Sequence, residues 1–280
     1  MTHAEIESAC KEFQEFEKEC EGYDVDRNMR EVSNALGQVA SQAFFLGYNS
    51  SPKWHEYFAS IDIENRPDFP LFLKTLQLLY KLYRDVMAVA KASDSQVLYA
   101  FDVSRRNLRV GHRIHEQYRE EKGGDPSWAW KGDPNYIPKP LPDLPPSVLP
   151  KIPLDNRTDI EQALIEMHQF WRTIDFTNES VHDFGGHIFY IGLSCSVLGY
   201  LPHPKWSEHQ GDWDMSQTSQ YPHFLEAINK VYRLFKVVEG ANRATENQVF
   251  RCYRLQRRID KIADDLRPIL LARREAKNSP

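Results

Sequence analysis

Four side chains able to bind a metal, Glu179, His182, Asp183 and His187, fall within nine residues. They open residues 188–201, the most apolar helix-like stretch of the chain, one side of which is built from the small residues Gly192, Cys195, Ser196 and Gly199. Asp183 and His187 are four apart, so on a helix they would share a face and could grip one ion or hydrogen-bond each other. Glu179 and His182 form Glu-x-x-His, a spacing that di-iron helical bundles use twice, together with two further glutamates. No second Glu-x-x-His occurs here, which disfavours that centre. Gly185 and Gly186 predict a turn inside the cluster, with His187 in the first turn of the helix that follows. Small side chains let a large rigid body approach the backbone, either another helix or a flat cofactor such as haem. A neutral imidazole is the usual proximal haem ligand in helical proteins. Asp183 or a backbone carbonyl could then accept the other ring N–H and fix the tautomer. The alternative is structural: Gly192 and Gly199 would be helix contacts, and the two histidines would make packing hydrogen bonds.

A second constellation runs from Arg105 to Glu116 and contains Arg105, Arg106, Arg109, His112, Arg113 and His115. His112 and His115 are three apart and could supply a distal base or further metal ligands. Arg105, Arg109 or Arg113 could clamp a carboxylate in a bidentate fork, and the alternative is a solvated basic face. Residues 202–214 are polar, aromatic and turn-rich. Trp206 and Trp213 there could stack on an aromatic substrate, or could plug the end of a bundle. Glu166 and His168 are two apart and point to different faces of their helix, so at most one could join a site. Cys195 is a poor nucleophile, because an apolar helix raises a thiol's pKa. The chain contains no nucleophile elbow, no phosphate-cradling glycine loop and no dinucleotide fingerprint.

These groups need helices to hold them. With 41% apolar and 27% charged residues, the chain reads as an ordinary globular protein long enough to bury a sizeable core. Helical periodicity appears over 3–22, 25–48, 71–92, 97–121, 158–172, 221–239 and 245–276, and no alternating strand pattern accompanies it, which predicts an all-α multi-helix bundle. Residues 123–153 hold nine prolines and also Trp128, Trp130 and Tyr136. A helix cannot persist through them. We expect an ordered strap across one helical domain of residues 1–280, the alternative being a linker between two helical halves. No repeat of fixed period is apparent. A net charge of −5 argues against a nucleic-acid surface as the main function, although a local basic patch would survive that total. Four irregularly spaced cysteines suit a reducing cytosol. The longest apolar stretch, about 14 residues, is short for a membrane span.

A histidine in the C-terminal half entering an apolar, small-residue helix, with a histidine- and arginine-rich helix upstream, resembles the layout of the helical haem dioxygenases and hydroxylases of the tryptophan/indoleamine dioxygenase superfamily. The resemblance covers architecture; the Gly-Thr-Gly-Gly loop of the tryptophan enzymes is missing, and the spacing around His187 departs from their signature. It implies His187 as proximal haem ligand, His112 or His115 as distal histidine, and Arg105, Arg109 or Arg113 as the carboxylate-binding arginine. Three readings follow. One is a cytoplasmic haem-dependent oxygenase or hydroxylase acting on a small aromatic or amino-acid-like molecule. A second is a non-haem iron enzyme using Glu179, His182, Asp183 and His187. The third is a cofactor-free helical interaction protein. No membrane or nucleic-acid partner is expected, and self-association as a homo-oligomer is compatible with all three.

Overall fold

The computed structural model describes residues 1–21, 25–48, 62–122, 151–175, 178–201 and 214–278. They form an all-α fold of eight helices and one short 3-10 turn, with no strand among the described residues. The chain divides into two compact units, Met1–Ser127 and Trp128–Pro280. Residues 123–150 lie outside the described ones, and the choice between strap and linker lies there too. No helix among the described residues is long and apolar enough to cross a membrane.

The N-terminal unit contains α1 (His3–Glu19), α2 (Arg27–Phe45), α3 (Phe69–Val89) and α4 (Asp94–Lys122). Thr2 and Glu5 close α1 with a capping box, and the Asp26 carboxylate accepts from the Asn28 N–H at the start of α2. Helix α2 packs on α1 and α4, and α3 packs on α4. Ile6, Phe13, Leu36, Phe72, Leu76 and Leu79 are fully buried between them. The C-terminal unit contains α5 (Arg157–Arg172), α6 (Glu179–Val197), α7 (Tyr221–Ala241) and α8 (Glu246–Asn278). Asn156 caps α5 and Asn178 caps α6. Helix α6 packs on α5 and α8, and α7 packs chiefly on α8, around Phe184, Ile188, Phe224, Ile228 and Phe235.

The C-terminal unit repeats the N-terminal one 152 residues on, which corrects the expectation that no fixed period exists. Leu46-Gly-Tyr-x-x-x-Pro-Lys-Trp-x-Glu56 recurs as Leu198-Gly-Tyr-x-x-x-Pro-Lys-Trp-x-Glu208. Gly47 and Gly199 both take positive φ, 86° and 81°, and end the second helix of their unit. The tyrosine after each is buried and stacks on the matching phenylalanine: Tyr48 on Phe72 at 5.5 Å, Tyr200 on Phe224 at 5.1 Å. The third helix opens with a proline in its first turn, Pro70 or Pro222, and ends on a left-handed residue, Ala90 or Asn242. The fourth begins with the same reciprocal cap, Ser93 with Gln96 and Thr245 with Gln248. The Tyr80 hydroxyl donates to Glu12 at 3.1 Å, with Arg84 beside that carboxylate. Tyr232 and Lys236 hold Glu166 in the same way, at 2.6 and 3.3 Å. Outside that motif, most matched positions agree in type rather than identity.

Partial burial works to raise the Glu166 carboxyl, but hydrogen bonds from Tyr232, Gln162 and Lys236 outweigh it and hold the group below its ordinary value of 4.5. A carboxyl lowered on folding stabilises the fold above its unfolded pKa, and that contribution is lost as pH falls through the lower folded value. Urea denaturation of the full chain is therefore expected to show stability falling below about pH 4.5, with Glu166→Gln weaker at neutral pH and flatter across that acid range.

Candidate functional site

Helix α6 runs unbroken from Glu179 to Val197, so the turn expected at Gly185-Gly186 does not form. The reason is packing. A Cβ on Gly185 would lie 1.8 Å from Ile174 Cδ1, so this glycine lets the segment between α5 and α6 lie against the helix. The four candidate ligands thus share one helix, but not one face. His182 and His187 are five residues apart, about 140° around the axis. His182 is half exposed, with its Nδ1 3.9 Å from Asp183 Oδ1. Among the described residues, no group of three or more His, Cys, Asp or Glu side chains stands close enough to hold a metal ion.

His187 instead belongs to a polar chain between α6 and α8. Its Nδ1 lies 2.7 Å from Gln256 Oε1. The Gln256 amide nitrogen donates to Asp260 Oδ2 at 3.4 Å, and the Ser194 hydroxyl donates to Asp260 Oδ1. Gln256 and Asp260 are buried, 7% and 6% exposed, one helical turn apart on α8. Ser194 and His187 are two turns apart on α6. An ionised carboxylate only accepts, so Asp260 draws the amide NH₂ of Gln256 towards itself and leaves the amide oxygen facing His187. That oxygen needs a donor, which puts a proton on Nδ1; in the neutral imidazole the lone pair is then on Nε2. The Tyr253 ring lies 5.2 Å from the imidazole.

The N-terminal unit is an internal control for this chain. At the positions matching His187, Gln256, Asp260 and Ser194 it has Ala35, Ser104, Leu108 and Gln42. At this interface the Ser104 hydroxyl lies 3.4 Å from Gln38 Oε1. One four-helix unit therefore folds without the buried carboxylate and the imidazole, and the other carries both. Sequence reading found His187 but missed Gln256, Asp260 and Ser194. The signal was the substitution of His, Gln and Asp for Ala, Ser and Leu between matched helices.

The small-residue face is not a flat wall. Cys195 and Ser196 are buried in the unit, the Ser196 hydroxyl donates back to Gly192 O at 2.9 Å, and Gly199 lies beyond the end of α6. A Cβ on Gly192 would make ordinary contact with Leu201, whereas one on Gly186, next to His187, would meet nothing within 4 Å. Burial pushes the Cys195 thiol up, with Asp260 adding to the effect, which agrees with an inert cysteine. Glu166 turns to α7, while His168 turns to Trp171 and Phe189 (ring centroids 6.2 and 6.3 Å), so the two do serve different faces.

The histidine–arginine constellation lies on α4, in the N-terminal unit. Arg113 pairs with Asp68 at 2.9 Å, and Arg106 pairs with Asp102 at the same distance. Arg105 is buried, Arg109 half-buried and His112 exposed; the side chain of His115 lies outside the described residues. Arg105, Arg106 and Arg109 recur on α8 as Arg257, Arg258 and Lys261, so these basic residues are a common property of both units. Trp206 and Trp213 lie outside the described residues.

No family model, no curated protein and no solved structure matches the chain.

Two stability measurements check this geometry. Ser194→Ala should cost about 1.5–3 kcal/mol, the usual loss for a hydrogen bond to a charged group. Combined with Asp260→Asn, it should cost less than the two single changes together, because both act on one contact. Gly186→Ala should stabilise α6 by about 0.5–1 kcal/mol. Gly185→Ala should destabilise it by about 1–3 kcal/mol, with Ile174→Val recovering part of the loss.

Proposed function

We propose that the C-terminal unit is a haem-binding oxidoreductase module in which His187 would hold the haem iron and a small aromatic or amino-acid-like molecule would be the substrate. The carrying observation is the chain Asp260–Gln256–His187, present in one unit and replaced by Leu108, Ser104 and Ala35 in the other. It holds the imidazole with its proton on Nδ1 and a basic Nε2, the state an iron ligand needs. The donor set fits haem better than non-haem iron. Haem takes one protein ligand, whereas a non-haem centre needs several donors, and the described residues bring no three together. The space beside Gly186 suits the approach of a rigid group to the His187 edge of α6.

Bound haem would supply the activation of O₂ or peroxide. The protein's part is to orient and tune the ligand. Gln256 fixes the imidazole tautomer and plane, and Asp260 fixes Gln256 and raises the basicity of Nε2 through the amide. Ser194 and the helix–helix interface keep water from Asp260. The distal-base role read for His112 or His115 and the carboxylate-clamp role read for Arg105, Arg109 and Arg113 belong to the N-terminal unit, and the proposal for His187 does not draw on them.

A second reading, a cofactor-free helical interaction protein, is favoured by the divergence of His182 from His187 around α6. Haem titration of the purified full chain separates the two. The first expects a Soret band at one haem per chain, lost in His187→Ala, and affinity about 10–100-fold weaker in Gln256→Leu. No Soret band after haem addition would overturn it. The second expects, in addition, that His187→Ala leaves the stability of the chain unchanged.

A further inference from the structure

We propose that the solvent face of α8 docks on the phosphate backbone of a nucleic-acid duplex. Arg251, Arg254, Arg258 and Lys261 stand at i, i+3, i+7 and i+10 of this helix, one per turn on one side. They span about 15 Å at 1.5 Å per residue. Arg254, Arg258 and Lys261 are exposed, Arg251 is half-buried, and none of the four makes an ion pair among the described residues. Partial burial and the nearby charge of Arg233 on α7 both hold the Arg251 guanidinium below its ordinary value, so a second helix adds positive charge to the row. Two acidic groups adjoin it: Glu226, which pairs with Lys230, and Asp265, which follows on the same face. Residues 251–277 hold nine Lys and Arg against four Asp and Glu, one of them the buried Asp260, in a chain whose net charge is −5. A local row of this kind is compatible with the negative total, which conceals where the cations stand.

The duplicated unit carries Arg258 and Lys261 as Arg106 and Arg109 but lacks the other two cations, so the fold does not need the full row. The positions matching Arg251, Arg254 and Arg258 are Tyr99, Asp102 and Arg106, and there Asp102 and Arg106 neutralise each other at 2.9 Å. Replacing that pair by Arg254 and Arg258 puts like charges at i and i+4, which destabilises a helix. Charges kept against the helix's own preference call for an outside anion. Its class follows from what the stretch between Arg251 and Lys261 lacks; Ile269 and Leu271 are exposed only beyond it. Every apolar residue between Arg251 and Lys261, namely Cys252, Tyr253, Leu255 and Ile259, is buried. A protein interface needs an apolar centre, and a membrane-surface helix needs apolar residues to insert. A phosphate backbone needs neither, since its affinity comes from counterion release to rows of Arg and Lys. Contacts to phosphates carry no sequence information, so binding would be independent of sequence. The inference does not draw on His187.

Fluorescence anisotropy of the full chain with labelled DNA and RNA duplexes, across a salt series, tests it. Contacts to three or four phosphates give a slope of log K against log salt near −3. Arg254→Ala with Arg258→Ala should reduce that slope by about 2 and weaken low-salt binding about tenfold or more, alike for all sequences. Arg254→Lys with Arg258→Lys should retain the slope, which separates loss of charge from loss of structure. No binding at low salt, an unchanged slope in the alanine variant, or binding to labelled polyglutamate but to neither duplex would each overturn the proposal.

Discussion

The Asp260 carboxylate sits between two helices where water hardly reaches, and a buried charge of that kind must be met by donors in good geometry. Ser194 and Gln256 meet it. Once they do, the orientation of Gln256 and His187 follows. The amide of Gln256 can face only one way, and the neutral imidazole of His187 can carry its proton on only one nitrogen. The register between the two helices is tied to the same contacts, because a slip of one residue would strand the carboxylate. Packing of Phe184, Ile188 and Phe235 gives the unit its core, but any well-filled core would serve that purpose. The carboxylate makes this particular alignment of α6 and α8 specific.

The same architecture occurs twice in the chain, so it supplies its own comparison. Features present in both copies are those the four-helix unit needs. They are the glycine–tyrosine elbow after the second helix, the tyrosine–phenylalanine stack, the glutamate held by a tyrosine and a cation, the proline that opens the third helix and the reciprocal cap that opens the fourth. Features present in one copy are free to do something else. The polar chain at His187 falls in that second group, and so do Arg251 and Arg254 on the opposite side of α8. The arginine pair shared by α4 and α8 falls in the first group, which weakens any role for it peculiar to the N-terminal unit.

Much of the fold could be read from the sequence, because helix signals are local. Apolar residues at helical spacing, side-chain caps and prolines in first turns placed most helix ends within a few residues of where they lie. Two things could not be read this way. The glycines at 185 and 186 look like a break, and only the contact with Ile174 shows that one of them makes room for a neighbour. The partners of His187 lie about seventy residues further along α8, and no local pattern marks a glutamine and an aspartate as members of a buried chain when the helix around them is dense with charge. The repeat was legible at one place, the Leu-Gly-Tyr-x-x-x-Pro-Lys-Trp-x-Glu motif at 46–56 and 198–208; elsewhere its matched positions keep size and role, and a stacked ring or a left-handed cap is visible only in three dimensions.

The left-handed residue that ends the third helix has a further consequence. In the C-terminal unit the position is held by Asn242, whose short amide side chain tolerates φ 52, whereas in the N-terminal unit Ala90 adopts φ 49 with its methyl crowded against the backbone. The crowding amounts to about 1 kcal/mol. The first copy thus keeps a small spring wound at the elbow between its two longest helices, and the second has let that spring go. A glycine at 90 would relieve it without touching a single packed side chain, so the N-terminal unit holds a strain that its twin has shed.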